Sequence, residues 1–347
     1  MSELNVEQVL SDVARALAED LGFPLPNPRQ SVLAQPCPPL PLAGEGGERE
    51  AGDGADAAPR APTATRPLPN PPPRVGEGAS VALRAPTAIN DLTAQLIPEG
   101  QTARARVITR EAAVIAGRPW FDACYRTLDP DCVIDWKVSE GDAVGPGDVL
   151  VEISGNARAL LTAERPSLNF LQTLSAVATA TRPYVEAVRG THVAIMDTRK
   201  TLPGLRLAEK YAVRVGGGQN QRIGLFDGIL IKENHIAAAG GIAPVLEAAF
   251  RLAGDGVSVQ IEVETLAQLT EAIAAGANLV LLDNFSLDDM RHAAHIAHGR
   301  ALLEASGNIT LETVRAVAET GVDRISVGSL TKHIRAVDLS MRIDSLD

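Results

Sequence analysis

Cysteine is scarce. Cys37, Cys124 and Cys132 are the only three in 347 residues, and no two of them form a CxxC pair. An odd, scattered set argues against a disulfide scaffold or a structural zinc site and fits a reducing compartment, the cytoplasm. Long hydrophobic runs are lacking too. No stretch approaches the ~18 uninterrupted apolar residues a membrane helix needs. The opening MSELNVEQVLSD is polar and has no apolar signal core. A chain that neither spans a membrane nor is exported is expected. Positive charge is in deficit: 32 Lys and Arg stand against 43 Asp and Glu, a formal net charge of −11. A general nucleic-acid binder needs a basic face and is excluded. An anionic small-molecule substrate is not, because a few Lys and Arg can cluster inside an acidic protein. No GxGxxG follows a strand pattern. Gly216-Gly217-Gly218-Gln219-Asn220 comes nearest, and a dinucleotide-binding fingerprint is rejected.

Proline is unevenly spread. Fifteen of the 23 lie between Pro24 and Pro86, in a stretch with many Gly, almost no aromatics and no apolar period. Such a segment cannot bury enough surface to offset chain entropy, so 24–88 reads as a low-complexity, disordered insertion. PRAPTA at 59–64 recurs as LRAPTA at 83–88, which suggests an inserted repetitive element. A Pro-rich docking segment is the functional alternative to a solvated insertion.

The rest is patterned. Val6, Val9, Leu10, Val13 and Leu17 fall at helical spacing, with Gly22 as a stop. From Ile89 to about Leu161, short apolar runs such as ARARVITR and DVLVEI alternate with turns, which predicts a small β-rich or mixed domain. After about Leu171 the pattern becomes strand, loop, helix, repeated. The candidate strands are HVAIMD (192–197), GILIK (228–232), SVQIEV (258–263), NLVLLD (278–283), ALLEA (301–305) and DRISV (323–327). Alternating β and α units with β-branched strands imply a parallel sheet covered by helices. A barrel of fewer than eight strands and a doubly wound open sheet both satisfy this pattern.

Polar groups recur at one end of these strands. Thr198, Arg199 and Lys200 follow the first and Lys232 ends the second. Glu262 sits near the end of the third, and Asp283 ends the fourth. Ser306-Gly307-Asn308 and Val327-Gly328-Ser329 follow the last two. Loops at the C-terminal strand ends build the active site of an α/β barrel, so a shared pocket is expected there. Arg199, Lys200, Arg222 and Lys232 supply donors for carboxylates or phosphates. Glu262 and Asp283 suit Mg²⁺ or ribose hydroxyls beside a polyphosphate. The competing reading is a structural network in which these two acids pair with Lys200 and Lys232. Glycine in the last two loops permits close approach to phosphate.

TAERPSLNFLQTLSAVAT, MDTRKTLPGLR, EKYAVRVGGGQNQR, LIKENHI, IEVET, LLDNF, LEASGNI and GVDRISVGSLTKH, in this order, resemble the quinolinate phosphoribosyltransferase family. The resemblance spans 1–22 and about 89–347. It implies an α/β fold: an N-terminal α/β sandwich domain (1–23 and 89–171, with 334–347) and an incomplete parallel α/β barrel (172–333). It also implies a homodimer and a Mg²⁺-dependent reaction. In that reaction the phosphoribosyl group of phosphoribosyl pyrophosphate passes to quinolinate, giving nicotinate mononucleotide, pyrophosphate and CO₂. By motif, Arg165 matches an arginine donated across the dimer interface to quinolinate. Thr198, Arg199, Gln221 and Arg222 lie in the substrate-binding motifs, with the two arginines matching others at its carboxylates. Lys200 and Lys232 match lysines near the pyrophosphate and the reacting centre. Glu262 and Asp283 match the acids at the ribose and metal, and the two glycine-bearing loops match the phosphate loops. Lys200, Glu262 and Asp283 are the expected catalytic groups.

Two departures stand out. Many family members carry His where this chain has Gln221, and the Pro-rich insertion separates segments that are nearly contiguous in relatives. Gln221 is expected to donate a hydrogen bond to a substrate carboxylate without carrying charge, so quinolinate binding should be weaker than with His. The alternatives are a barrel phosphoribosyltransferase for another acid, such as nicotinate, and a non-catalytic barrel that binds a phosphorylated ligand.

Overall fold

A computed structural model of the chain describes residues 6–21 and 90–346. The Pro-rich stretch and Cys37 lie outside the described residues. Helix α1 (Val6–Leu21) buries Val9, Val13 and Leu17. Val6 and Leu10, expected on the same face, are 63% and 52% exposed. The buried stripe is therefore narrower than the apolar one. Asp12 is buried beside that stripe and accepts hydrogen bonds from the Trp120 indole at 3.0 Å and the Gln8 amide at 2.7 Å.

The first lobe follows. Its elements are β1 (Thr102–Thr109), β2 (Ala113–Val114), α2 (Arg118–Leu128), β3 (Val133–Trp136), β4 (Ala143–Val144) and β5 (Val149–Asn156). Strand β1 alternates exposed and buried residues, with Ala103, Ala105, Val107 and Thr109 facing inward. That is the period of a sheet with one wet face. Helix α3 (Ala157–Ala187) starts at an Asn156 cap whose side chain accepts from the Ala159 amide. Its first two thirds pack into the core of this lobe. Tyr184, Val185 and Ala187 near its end pack against the second core, so one helix serves both lobes.

The second lobe contains β6 (Ala194–Met196), α4 (Arg206–Val215), β7 (Gly228–Ile231), α5 (Glu233–Ala239), α6 (Ile242–Leu252), β8 (Ser258–Val263) and α7 (Leu266–Ala274). Then come β9 (Leu279–Asp283), α8 (Leu287–Ala297), β10 (Leu302–Ser306), α9 (Val314–Ala318), β11 (Arg324–Ser326) and α10 (Ser329–Lys332). All six candidate strands form, within two residues at each end. The last strand, β12 (Leu339–Leu346), leaves this lobe and pairs antiparallel with β1, giving the order β12-β1-β5-β3.

The parallel sheet runs β6-β11-β10-β9-β8-β7. From β7 to β11 each strand lies beside its successor, with no reversal of direction. A doubly wound sheet needs such a reversal at its switch point, so the barrel reading holds. The barrel is incomplete because β6 and β7 do not pair. Residues 218–222 form the seam instead: Gln219 bridges Met196, and the Arg222 guanidinium donates to the Gly228 carbonyl at 2.9 Å.

Candidate active site

Side chains two residues apart on a strand share a face. On the inner face of the curled sheet this puts Gln260 below Glu262 on β8, and Glu304 below Ser306 on β10. The lower layer is a polar plug. Glu304 has no exposed surface, and Gln260 is 3% exposed. Glu304 Oε2 accepts from the Gln260 amide at 3.0 Å, and Oε1 accepts from the amide of Gln221, which reaches in from the seam. Burial pushes the Glu304 carboxyl above the usual range, with the two amides opposing the shift.

Above the plug lies a cavity of about 540 Å³ at the C-terminal strand ends. Thr198, Lys200, Asp283, Ser306, Gly307, Asn308, Val327, Gly328 and Ser329 line it. Nine of the fifteen sequence-predicted site residues therefore meet in one place. Tyr184, Thr310, Lys332 and His333 line it too. The last two belong to the SLTKH run, but their ordinary surface chemistry gave no separate signal. A wider depression of about 1100 Å³ opens at the other end of the strands, around His192, Arg300 and Asp323. It gathers none of the strand-end groups.

The glycines of the two loops have specific reasons. Gly307 has φ +99°, and a Cβ there would lie 2.1 Å from Asn284 Oδ1. Asn284 and Asn308 are also left-handed, at φ 56° and 50°. This run of unusual backbone turns the loop into the cavity. A Cβ on Gly328 would lie 3.1 Å from Lys200 Cδ, so the lysine stem rests on bare backbone. The Lys200 carbonyl accepts from the Thr331 hydroxyl at 2.8 Å, which ties the β6 loop to α10.

The other predicted residues fall outside the lining of this cavity. Lys232 pairs with Glu262 at 2.7 Å, as the structural-network reading expected. Lys200 makes no such pair with Asp283. Among the described residues no carboxylate lies within ion-pair distance of Lys200, Arg199 or Arg222. Burial, and then the charge of Arg199, hold the Arg222 guanidinium below its ordinary value. Arg199 Nε is buried without a partner. Asp227 opposes the Arg222 shift from beyond ion-pair distance, and two nearby guanidiniums with no carboxylate paired to them form a site suited to an anion. Arg165 stands apart on α3. It is 62% exposed, with Glu164 3.9 Å away. Gln221 is turned into the barrel interior. Its amide hydrogens point to Glu304 and, at 3.3 Å, to Gln260 Oε1. Both amide hydrogens are thus engaged within the protein, one of them by the Glu304 carboxylate.

A second buried network sets these segments. Asp197, fully buried after β6, accepts from Lys210 Nζ at 2.5 Å, the Asn220 amide at 2.6 Å and the Gln221 backbone N–H at 2.8 Å. Lys210 also donates to the Gln221 carbonyl at 2.9 Å. Burial pushes Asp197 above and Lys210 below its ordinary value, against their mutual attraction. Asp197 ends a recognised strand, but Lys210 looks like any helix charge in the sequence.

Comparison with known proteins agrees with this geometry. The description "Quinolinate phosphoribosyl transferase, N-terminal domain" matches residues 91–175, and the corresponding C-terminal domain matches 177–342. The chain belongs to the quinolinate phosphoribosyltransferase family. It is 44% identical over 253 residues to a probable carboxylating nicotinate-nucleotide pyrophosphorylase of Bacillus subtilis, covering 73% of this chain and 88% of that one. It is 42% identical to the carboxylating nicotinate-nucleotide pyrophosphorylase of Mycobacterium leprae, covering 72% and 90%. The solved nicotinate-nucleotide pyrophosphorylase of Francisella tularensis is 48% identical, with a TM-score of 0.70 over 73% of this chain and 90% of that one. No helix among the described residues is long and apolar enough to cross a membrane.

Proposed function

We propose that this family member transfers the phosphoribosyl group of phosphoribosyl pyrophosphate to quinolinate with loss of CO₂, giving nicotinate mononucleotide in NAD biosynthesis. The reaction is assigned to the cytoplasm, where the chain's few thiols stay reduced. One observation carries the reading. The cavity joins an unpaired lysine and two glycine-bearing loops, which suit phosphates, to a strand-end carboxylate, while Arg199 and Arg222 lie near each other with no carboxylate in an ion pair with either.

The chemistry follows from charge. Breaking the bond between the ribose anomeric carbon and pyrophosphate leaves positive charge on the ring and negative charge on the leaving group. Lys200 takes up the latter, and Asp283 and Glu262 stabilise the former. Lys232 pairs with Glu262 and orients it. The pyridine nitrogen of quinolinate attacks the anomeric carbon with its own lone pair, so no base is required. The pyridinium draws electrons from the adjacent carboxylate as CO₂ departs, and the ring carbon takes a proton from water. Arg199 and Arg222 bind the dicarboxylate, while the rate rests on electrostatic stabilisation at the bond that breaks.

Mg²⁺ fits as a substrate-borne ion. Among the described residues no group of three or more metal-ligating side chains exists. Asp283 has one oxygen accepting from the Asn284 amide at 2.9 Å and the other without a protein donor. It would hold the ion together with pyrophosphate oxygens, with Glu262 nearby, and the ion when bound neutralises leaving-group charge.

A homodimer completes the proposal. Arg165 is exposed and away from the cavity of its own chain, which suits an arginine offered to a second copy. Mixing Arg165→Ala with Lys200→Ala subunits should restore activity through hybrid dimers; two inactive variants that stay inactive together would refute shared sites. The reaction itself is tested by incubating the protein with quinolinate, phosphoribosyl pyrophosphate and Mg²⁺ and following nicotinate mononucleotide by mass. Product with quinolinate and none with nicotinate is expected; product only with nicotinate would overturn the choice of acid.

A further inference from the structure

The polar plug beneath the cavity has no part in the chemistry above. A carboxylate buried in the middle of a barrel is costly unless it is fully hydrogen-bonded. Glu304 is fully buried, and both of its oxygens are used by amides that come from different parts of the fold, β8 and the seam. Gln221 is the shared point. Its backbone N–H is held by Asp197, its carbonyl by Lys210 and its side chain by Glu304 and Gln260. The next residue is Arg222, whose guanidinium meets the Gly228 carbonyl. Of these anchors, only the one at Glu304 ties the seam to the far side of the barrel.

We propose that Glu304 is a positioning residue: through the Gln221 amide it fixes the seam and Arg222, and so sets the affinity for the anionic acceptor. This rests on the proposed function, since the acceptor is taken as quinolinate.

The polarity of the contacts makes the test specific. Two amides can both donate to a carboxylate. Glu304→Gln replaces one acceptor oxygen with NH₂, so one neighbouring amide meets a donor and must turn over. Gln221, at the open seam, is the freer of the two. Moving the carboxylate instead of deleting it, in Glu304→Gln with Gln260→Glu, offers Gln221 two acceptors again.

The expected result for Glu304→Gln is a KM for quinolinate raised about tenfold, the order expected for losing a charged hydrogen bond. The kcat and the KM for phosphoribosyl pyrophosphate should stay within about twofold, and the double variant should return most of the loss. A lowered kcat with unchanged KM, or no recovery in a folded double variant, would show a merely structural role and overturn the proposal. Hydrogen exchange of the backbone around residues 219–223 gives a readout independent of substrate. It should quicken about tenfold in Glu304→Gln at unchanged Tm, and unchanged exchange also overturns the proposal. Wild-type protein without quinolinate turnover refutes the functional reading alone, and exchange then decides the positioning role.

Discussion

Glu209 offers the sharpest test of the electrostatics beneath the site. It lies on α4 with no exposed surface. Its Oε2 accepts from the Leu202 N–H at 3.1 Å, within the loop that carries Arg199 and Lys200, and its Oε1 has no partner. Burial raises its pKa from 4.5 to about 7, partly opposed by that one hydrogen bond. The sign follows from proton counting. Below pH 4.5 the group is neutral in both folded and unfolded chains. Between 4.5 and 7 the unfolded chain releases its proton and the folded one keeps it, so stability falls by about 1.4 kcal/mol per pH unit. Above 7 the loss levels off near about 3 kcal/mol. Glu209→Gln removes this dependence. Thermal unfolding of both proteins at pH 5 and pH 8 reads it: relative to the variant, the wild type should lose on the order of 6 °C in Tm across that interval. Parallel Tm profiles would refute the argument and mean that water or a shifted loop satisfies Oε1.

Three other outcomes follow from contacts already described. Lys210→Met strands the Asp197 carboxylate without its cation and should cost about 3–5 kcal/mol, read by denaturant unfolding; adding Asp197→Asn should recover part of this. Gly307→Ala forces a Cβ onto the Asn284 side chain at positive φ, and should raise the KM for phosphoribosyl pyrophosphate at least about tenfold, a loss of about 1.4 kcal/mol; an unchanged KM would exclude this loop from phosphate binding. Cys132 is pushed up to about 11 by burial, and Cys124 is raised further. A native thiol titration should therefore find at most one reactive thiol of the three, with all three reacting after denaturation.

The barrel was legible because its six strands are short apolar runs ending in polar groups, a local pattern. Strand order was not, since parallel pairing leaves the same trace in a barrel and an open sheet. The distinction depends on non-local contacts such as Gln219 with Met196. Lys200, Asp283 and the glycine loops were legible for the same local reason. Glu304, Gln260 and Lys210 were not: each occupies a position where the pattern allows an apolar residue or an exposed charge. Only the fold shows that they face one another in the interior. Gln221 was noticed, but its partners inside the protein, Glu304 and Gln260, were not, because a sequence does not say which way an amide points.

Strand β12 has a consequence for how the protein is made. It is synthesised after every barrel strand, yet it completes a sheet whose other members come from the first lobe. Until it docks, one edge of β1 stays open to any passing strand. The first lobe thus remains exposed to misassembly throughout synthesis of the barrel, and a ribosome stalled late in the message would leave a finished catalytic lobe attached to an unfinished partner.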